Sequence, residues 1–138
     1  MAALDHIGIA INDLPQMTKL FGLLNLNVNQ SEPVPEQGVV THFLPLLPAA
    51  GGTPALELLE PTDPEGTIAL FMKKKGPGIH HLAFSVGQGD LDGLSQRLRS
   101  EGFRLIYETA RAGAHGKRVN FIHPASAGGI LIELTEPT

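Results

Sequence analysis

Hydrophobic and polar side chains alternate with a period of two in Leu4-Asp5-His6-Ile7-Gly8-Ile9-Ala10-Ile11 and again, 75 positions later, in Ile79-His80-His81-Leu82-Ala83-Phe84-Ser85-Val86. Neighbouring side chains of a strand take opposite faces, so Ile7, Ile9 and Ile11 lie together and His6, Gly8 and Ala10 lie together on the other side. In the second copy, entered from Gly76-Pro77-Gly78, Leu82, Phe84 and Val86 share a face with His80. His81, Ala83 and Ser85 are left opposite, which makes His81 the counterpart of His6. A histidine among small residues suits the wall of a cavity rather than a packed core face.

The pattern around the two strands repeats as well. Asp13 offers an N-cap for an amphipathic helix through about Leu24, with Met17, Leu20, Phe21 and Leu24 as its apolar stripe. Strands are predicted near Leu26 to Ser31, from Gln37 to about Leu46, and over Pro54 to Leu59. Between them Glu32-Pro33-Val34-Pro35 reads as an extended loop, because two prolines restrict it, and Pro48-Ala49-Ala50-Gly51-Gly52 reads as a hairpin-like connection. A helical linker is predicted from Asp63 or Pro64 to Lys75. In the second half Asp90 starts a helix carrying Leu91, Leu94 and Leu98, and Gly102 stands where a C-terminal glycine belongs. Three strands follow, roughly Arg104 to Glu108, Lys117 to Ile122 and Gly129 to Thr135. The chain therefore reads as two βαβββ modules, about 4–62 and about 78–136, joined by a helical linker over about 63–77 within a single domain spanning 1–138. Such duplication fixes the architecture. Each module is too small to close its own sheet, so the expected fold is α+β: one curved eight-stranded mixed sheet with the helices outside and a cleft on the opposite face.

Composition narrows the partners. A chain of 138 residues, 42% of them hydrophobic, is about one domain with an ample core. Its 16 glycines and 11 prolines are spread along the chain, which supplies turns and excludes a low-complexity reading. A formal charge of -4 argues against nucleic acid, whose phosphates need a concentrated basic face. The absence of cysteine removes disulfides and thiolate metal sites. No secretory segment or membrane-length apolar run is found, so a cytoplasmic location without membrane contact is expected.

The last strand of each module carries the remaining chemistry. Leu56 and Leu58 share one face while Ala55, Glu57 and Leu59 share the other; Ile130, Ile132 and Leu134 oppose Leu131, Glu133 and Thr135. His6 precedes Glu57 by 51 positions and His81 precedes Glu133 by 52. A two-fold related His, Glu, His, Glu set thus lines one cavity. Burying two carboxylates together costs several kcal/mol unless a positive charge compensates them. A divalent cation does so, and mixed nitrogen and oxygen donors suit cobalt, manganese, nickel, zinc or magnesium.

These residues resemble the vicinal oxygen chelate superfamily and, within it, the methylmalonyl-CoA epimerase family. The phrases that carry the resemblance are Leu4-Asp5-His6-Ile7-Gly8-Ile9-Ala10, Pro35-Glu36-Gln37-Gly38-Val39, Glu57-Leu58-Leu59-Glu60-Pro61, Gly78-Ile79-His80-His81-Leu82-Ala83, Gly113-Ala114-His115-Gly116-Lys117, Phe121-Ile122-His123-Pro124 and Gly128-Gly129-Ile130-Leu131-Ile132-Glu133-Leu134. It covers nearly the whole chain; the second, fifth and sixth phrases are the ones specific to the epimerases. The resemblance implies a divalent metal, cobalt foremost, held by His6, Glu57, His81 and Glu133, with Glu133 also a base. It implies an acyl-CoA substrate, a homodimer, and removal of the proton between a thioester and a carboxylate followed by its return on the other face.

Inversion needs acid and base groups on both faces of the carbon. Some members of the family carry a second glutamate where this chain has Thr41, and threonine is no base at neutral pH. Glu57, a position that holds glutamine in some members, is the substitute candidate, giving a Glu57/Glu133 pair as in glyoxalase I; His115 and His123 are alternatives. For coenzyme A the candidate cations are Lys73, Lys74, Lys75, Arg111, Lys117 and Arg118. Lys117, together with His115 in the same glycine-rich turn, ranks first by the resemblance. Two other functions compete, a glyoxalase I-type lactoylglutathione lyase and a metal-free ligand-binding or resistance protein of the same fold.

Overall fold

A computed structural model of the chain describes residues 1–46 and 54–138; the connection expected over Pro48 to Gly52 lies outside them. The chain divides into two compact units, His6–His80 and Met1–Asp5 with His81–Thr138.

The unit His6–His80 contains β1 (Ala3–Ala10, its first three residues going with the other unit), α1 (Leu14–Leu23), β2 (Gln30–Val34), β3 (Val39–Pro45), β4 (Ala55–Pro61) and α2 (Thr67–Lys75). Its strands are ordered β2-β3-β4-β1, with β1 and β4 parallel and the other pairs antiparallel. Asp13 starts α1 as expected, its carboxylate accepting the N–H of Gln16 at 3.0 Å. The sheet buries its aliphatic face, Ile7, Ile9, Ile11, Leu56 and Leu58, under Leu14, Met17 and Phe21 of α1. On the opposite face Ala10, Val39 and Leu59 are covered by Ile68, Phe71 and Met72, so the linker helix α2 closes one end of the side that carries His6 and Glu57. Gly38 makes the corner into β3 with φ +64°, and a Cβ there would meet the Asp63 Cβ at 2.7 Å.

The second predicted strand is displaced. The end of α1 is wound into left-handed Asn25 (φ 60°) with the Leu26 N–H returning to the Phe21 carbonyl, which delays pairing until Gln30. β2 then runs through Pro33, which the pair of prolines had suggested was a loop residue. A proline, lacking an N–H, is tolerated there because β2 is the edge of the sheet.

The second unit contains β5 (Gly78–Ser85, beginning in the first unit), α3 (Leu91–Ser100), β6 (Arg111–Ala112), β7 (Arg118–Ile122) and β8 (Leu131–Glu136), ordered β5-β8-β7-β6. The β5–β8 pair is parallel and the others antiparallel. Phe84, Ile132 and Leu134 pack with Leu91, Leu94 and Leu98 of α3. The eight strands make the mixed sheet of two βαβββ modules that the alternation foretold.

Two details differ from the first unit. Asp90 makes no side-chain cap; instead Glu136 Oε1 accepts the Leu91 N–H at 2.9 Å. That bond, with the Arg118 guanidinium at 2.7 Å, holds the Glu136 carboxyl below its ordinary range although burial pushes it up. Arg118 is in turn raised by its hydrogen bonds to Asp92 first and Glu136 second. The strand expected over Arg104 to Glu108 is not formed beyond a single bridge between Leu105 and Ile122, and a two-residue strand, β6, takes its place. Side chains have taken over the backbone partners: Asn120 accepts the Tyr107 N–H and donates to its carbonyl, both at 3.1 Å, while Arg99 donates to the carbonyls of Tyr107 and Glu108. A backbone satisfied by side chains has no need of a ladder.

Candidate active site

Each unit holds one histidine and one glutamate side by side. In the first, His6 Nε2 lies 3.3 Å from Glu57 Oε2; in the second, His81 Nε2 lies 3.2 Å from Glu133 Oε2. The same atoms face each other both times, and the ladder explains why. Glu57 is in register with Gly8, and Glu133 with Ala83, each the residue two beyond its histidine on the same face. On the other side Glu57 is in register with Phe43 and Glu133 with Phe121. A small residue at the cross-strand position leaves room for the carboxylate to reach the imidazole. The histidines are 6% and 7% exposed, so solvent does little to screen either contact.

Donors sharing a first-row divalent cation at about 2.0–2.2 Å stand roughly 3 Å apart when they bind at right angles. Separations of 3.2–3.3 Å match that edge, and an imidazole nitrogen with a carboxylate oxygen is a donor set such a cation accepts. The residues present therefore fit a divalent metal. Without a cation the same separation serves an imidazole N–H donating to a carboxylate.

The other candidates are placed as follows. Thr41 is buried beside Leu59 on the face that carries Glu57. His123 accepts the Ala125 N–H at 3.0 Å and so caps a turn, while His115 is exposed with φ 56° in the turn before β7. Lys117 is committed to a carboxylate: its Nζ donates to Asp5 Oδ2 at 2.7 Å, and Asp5 is buried. Arg118 is tied to Asp92 and Glu136, Arg111 lies over the Tyr107 ring at 4.1 Å, and Lys73 donates to the Pro64 carbonyl at 3.3 Å. The Asp5 to Lys117 pair was missed in the sequence, where the two are 112 positions apart. A charged residue inside an otherwise buried strand was the available signal, since a buried carboxylate requires a partner.

Comparison with known proteins gives concordant results. The profile of the Glyoxalase/Bleomycin resistance protein/Dioxygenase superfamily matches residues 5–121. The crystal structure of methylmalonyl-CoA epimerase from Mycobacterium tuberculosis is similar with 43% identity and a TM-score of 0.84, covering 98% of this chain and 87% of that one. A methylmalonyl-CoA epimerase in complex with methylmalonyl-CoA and NH4+ is similar with 34% identity and a TM-score of 0.86, covering 100% and 96% of the two chains. The ethylmalonyl-CoA/methylmalonyl-CoA epimerase of Cereibacter sphaeroides is 32% identical over 96% of each chain.

Proposed function

Because this chain belongs to the Glyoxalase/Bleomycin resistance protein/Dioxygenase superfamily, and its full-length relatives include named methylmalonyl-CoA epimerases, we propose that it epimerises methylmalonyl-CoA by 1,1-proton transfer. The observation that carries the proposal is the repeated His–Glu contact, His6 with Glu57 and His81 with Glu133, in the same register of both modules. A reaction that inverts one carbon needs two proton-transfer groups, and duplication supplies two carboxylates.

In this reading Glu133 accepts the proton of the carbon between the thioester and the free carboxylate. Glu57 delivers a proton to the opposite face, and the roles reverse for the other epimer. No atom or charge is gained overall. His6, Glu57, His81 and Glu133 would hold a divalent metal, cobalt or another of its first-row neighbours, which supplies Lewis-acid stabilisation of the developing negative charge worth several kcal/mol. The imidazoles fix the carboxylates in place, and Gly8 and Ala83 keep the space beside them open. Lys117 and His115, carried by the glycine-rich turn, contact the coenzyme A portion; Asp5 takes one of the three donors of the Lys117 ammonium and leaves two. The reading includes a homodimer in the cytoplasm, and no described helix is long and apolar enough to cross a membrane.

The test is incubation of protein purified without chelator with methylmalonyl-CoA in D2O. The proposal expects deuterium at the substrate carbon and convergence of both epimers to one mixture. Turnover of a glutathione hemithioacetal without such exchange would instead establish the lyase reading.

A further inference from the structure

The two modules differ just beyond their glutamates. Two residues past Glu57, on the same face, stands Leu59; two residues past Glu133 stands Thr135. Across the parallel ladder Leu59 is in register with Ala10, and Thr135 with Ser85. In the first module this place is filled with hydrocarbon, Ala10 and Leu59 lying under Ile68 and Phe71 of α2. In the second it carries two hydroxyls, covered from β7 by Val119, on which the Gly113 backbone lies so closely that a Cβ would meet Val119 Cγ1 at 2.6 Å. Thr135 is 2% exposed, and its hydroxyl has no hydrogen-bond partner among the described residues. A buried hydroxyl left unpaired is costly and uncommon in folded proteins, and an internal water is the usual remedy where polar groups converge.

We propose that Thr135 and Ser85 hold an internal water beside Glu133, and that this water exchanges the proton that Glu133 carries. This rests on the epimerase reading for its consequence, not for the site itself. When Glu133 accepts the substrate proton it becomes a carboxylic acid. It passes that proton to the water and takes back another from it, so the carboxyl is unchanged except for the identity of its hydrogen. In the reverse direction Glu57 accepts the substrate proton and Glu133 delivers a hydrogen taken from that water. Thr135 is therefore a positioning residue that acts through the water.

Two measurements on the full chain test this. A high-resolution crystal structure is expected to show a water within hydrogen-bond distance of Thr135 Oγ1, retained in Thr135→Ser and lost in Thr135→Val. In D2O, starting from the epimer for which Glu57 removes the proton and Glu133 delivers one, Thr135→Val is expected to lower deuterium incorporation per epimerisation event several-fold with Thr135→Ser restoring it, an outcome that a purely structural role would not produce. A Thr135 hydroxyl donating to a protein carbonyl, an empty place in the density, or an unchanged incorporation ratio with all three proteins active would each overturn the proposal. Should the protein lack epimerase activity, the parent reading fails while the crystal structure still decides whether the water is there.

Discussion

The unit containing His6 and Glu57 and the unit containing His81 and Glu133 share their site-bearing strands almost position for position, yet they support those strands by different means. The first is finished with hydrocarbon and a second helix: α2 covers Ala10, Val39 and Leu59. The second is finished with polar contacts, Arg118 to Glu136 and Asp92, Lys117 to Asp5, and Asn120 and Arg99 to the backbone around Tyr107. The His–Glu contact is alike in both units and its surroundings differ. The lesson is that a repeated His–Glu pair does not guarantee two equal environments.

The largest expected effects lie where the units are alike. If both carboxylates move protons, Glu57→Gln and Glu133→Gln each lower the epimerisation rate by about 10²–10⁴-fold, the range of a lost general acid or base. Steady-state kinetics from each epimer measure this. A Glu57→Gln enzyme with normal turnover and normal metal content would leave Glu133 as the sole base and break the equivalence.

An intermediate effect lies where the units differ in electrostatics. Glu136 has its carboxyl held below the ordinary range, so the stability it contributes is present above the carboxylate value of the unfolded chain and is lost as pH falls through the depressed folded value. Glu136→Gln should cost about 1–3 kcal/mol near neutrality and flatten the acid limb of the stability curve. Denaturation by urea between acid and neutral pH checks both. The corresponding contact of the first unit, Glu60 with His42 at 3.3 Å, has its glutamate more exposed, so Glu60→Gln should cost less at the same pH.

The smallest effect concerns the two helix starts. Asp13 caps α1 directly, and Asp13→Ala should cost about 1 kcal/mol. Asp90 makes no side-chain cap, because Glu136 serves the first N–H of α3, and Asp90→Ala should be close to neutral in the same melting experiment.

Much of this was legible in the sequence, for identifiable reasons. The faces of β1, β4, β5 and β8 follow from strict alternation, which is why the order of residues alone assigns His6, Glu57, His81 and Glu133 to one side of their strands. Thr135 falls on the face of Glu133 by the same alternation, though nothing local reveals that its hydroxyl stays unpaired. What failed was the strand ends and partners. The segment from Arg104 to Glu108 has a strand-like pattern, but the side chains of Asn120 and Arg99, 13 and 8 positions from Tyr107, claim the backbone of its last two residues. Pro33 reads as a loop residue until β2 is known to be an edge. Lys117 reads as a free cation until the fold brings Asp5 to it.

On the proposed reading the two His–Glu pairs serve one cation together. The most direct test is metal content per chain, measured by elemental analysis on protein purified without chelator, alongside His6→Ala and His81→Ala. One divalent ion per chain, lost or greatly weakened in either variant, is the predicted result. Two ions per chain, or one ion that survives the removal of either histidine, would contradict it.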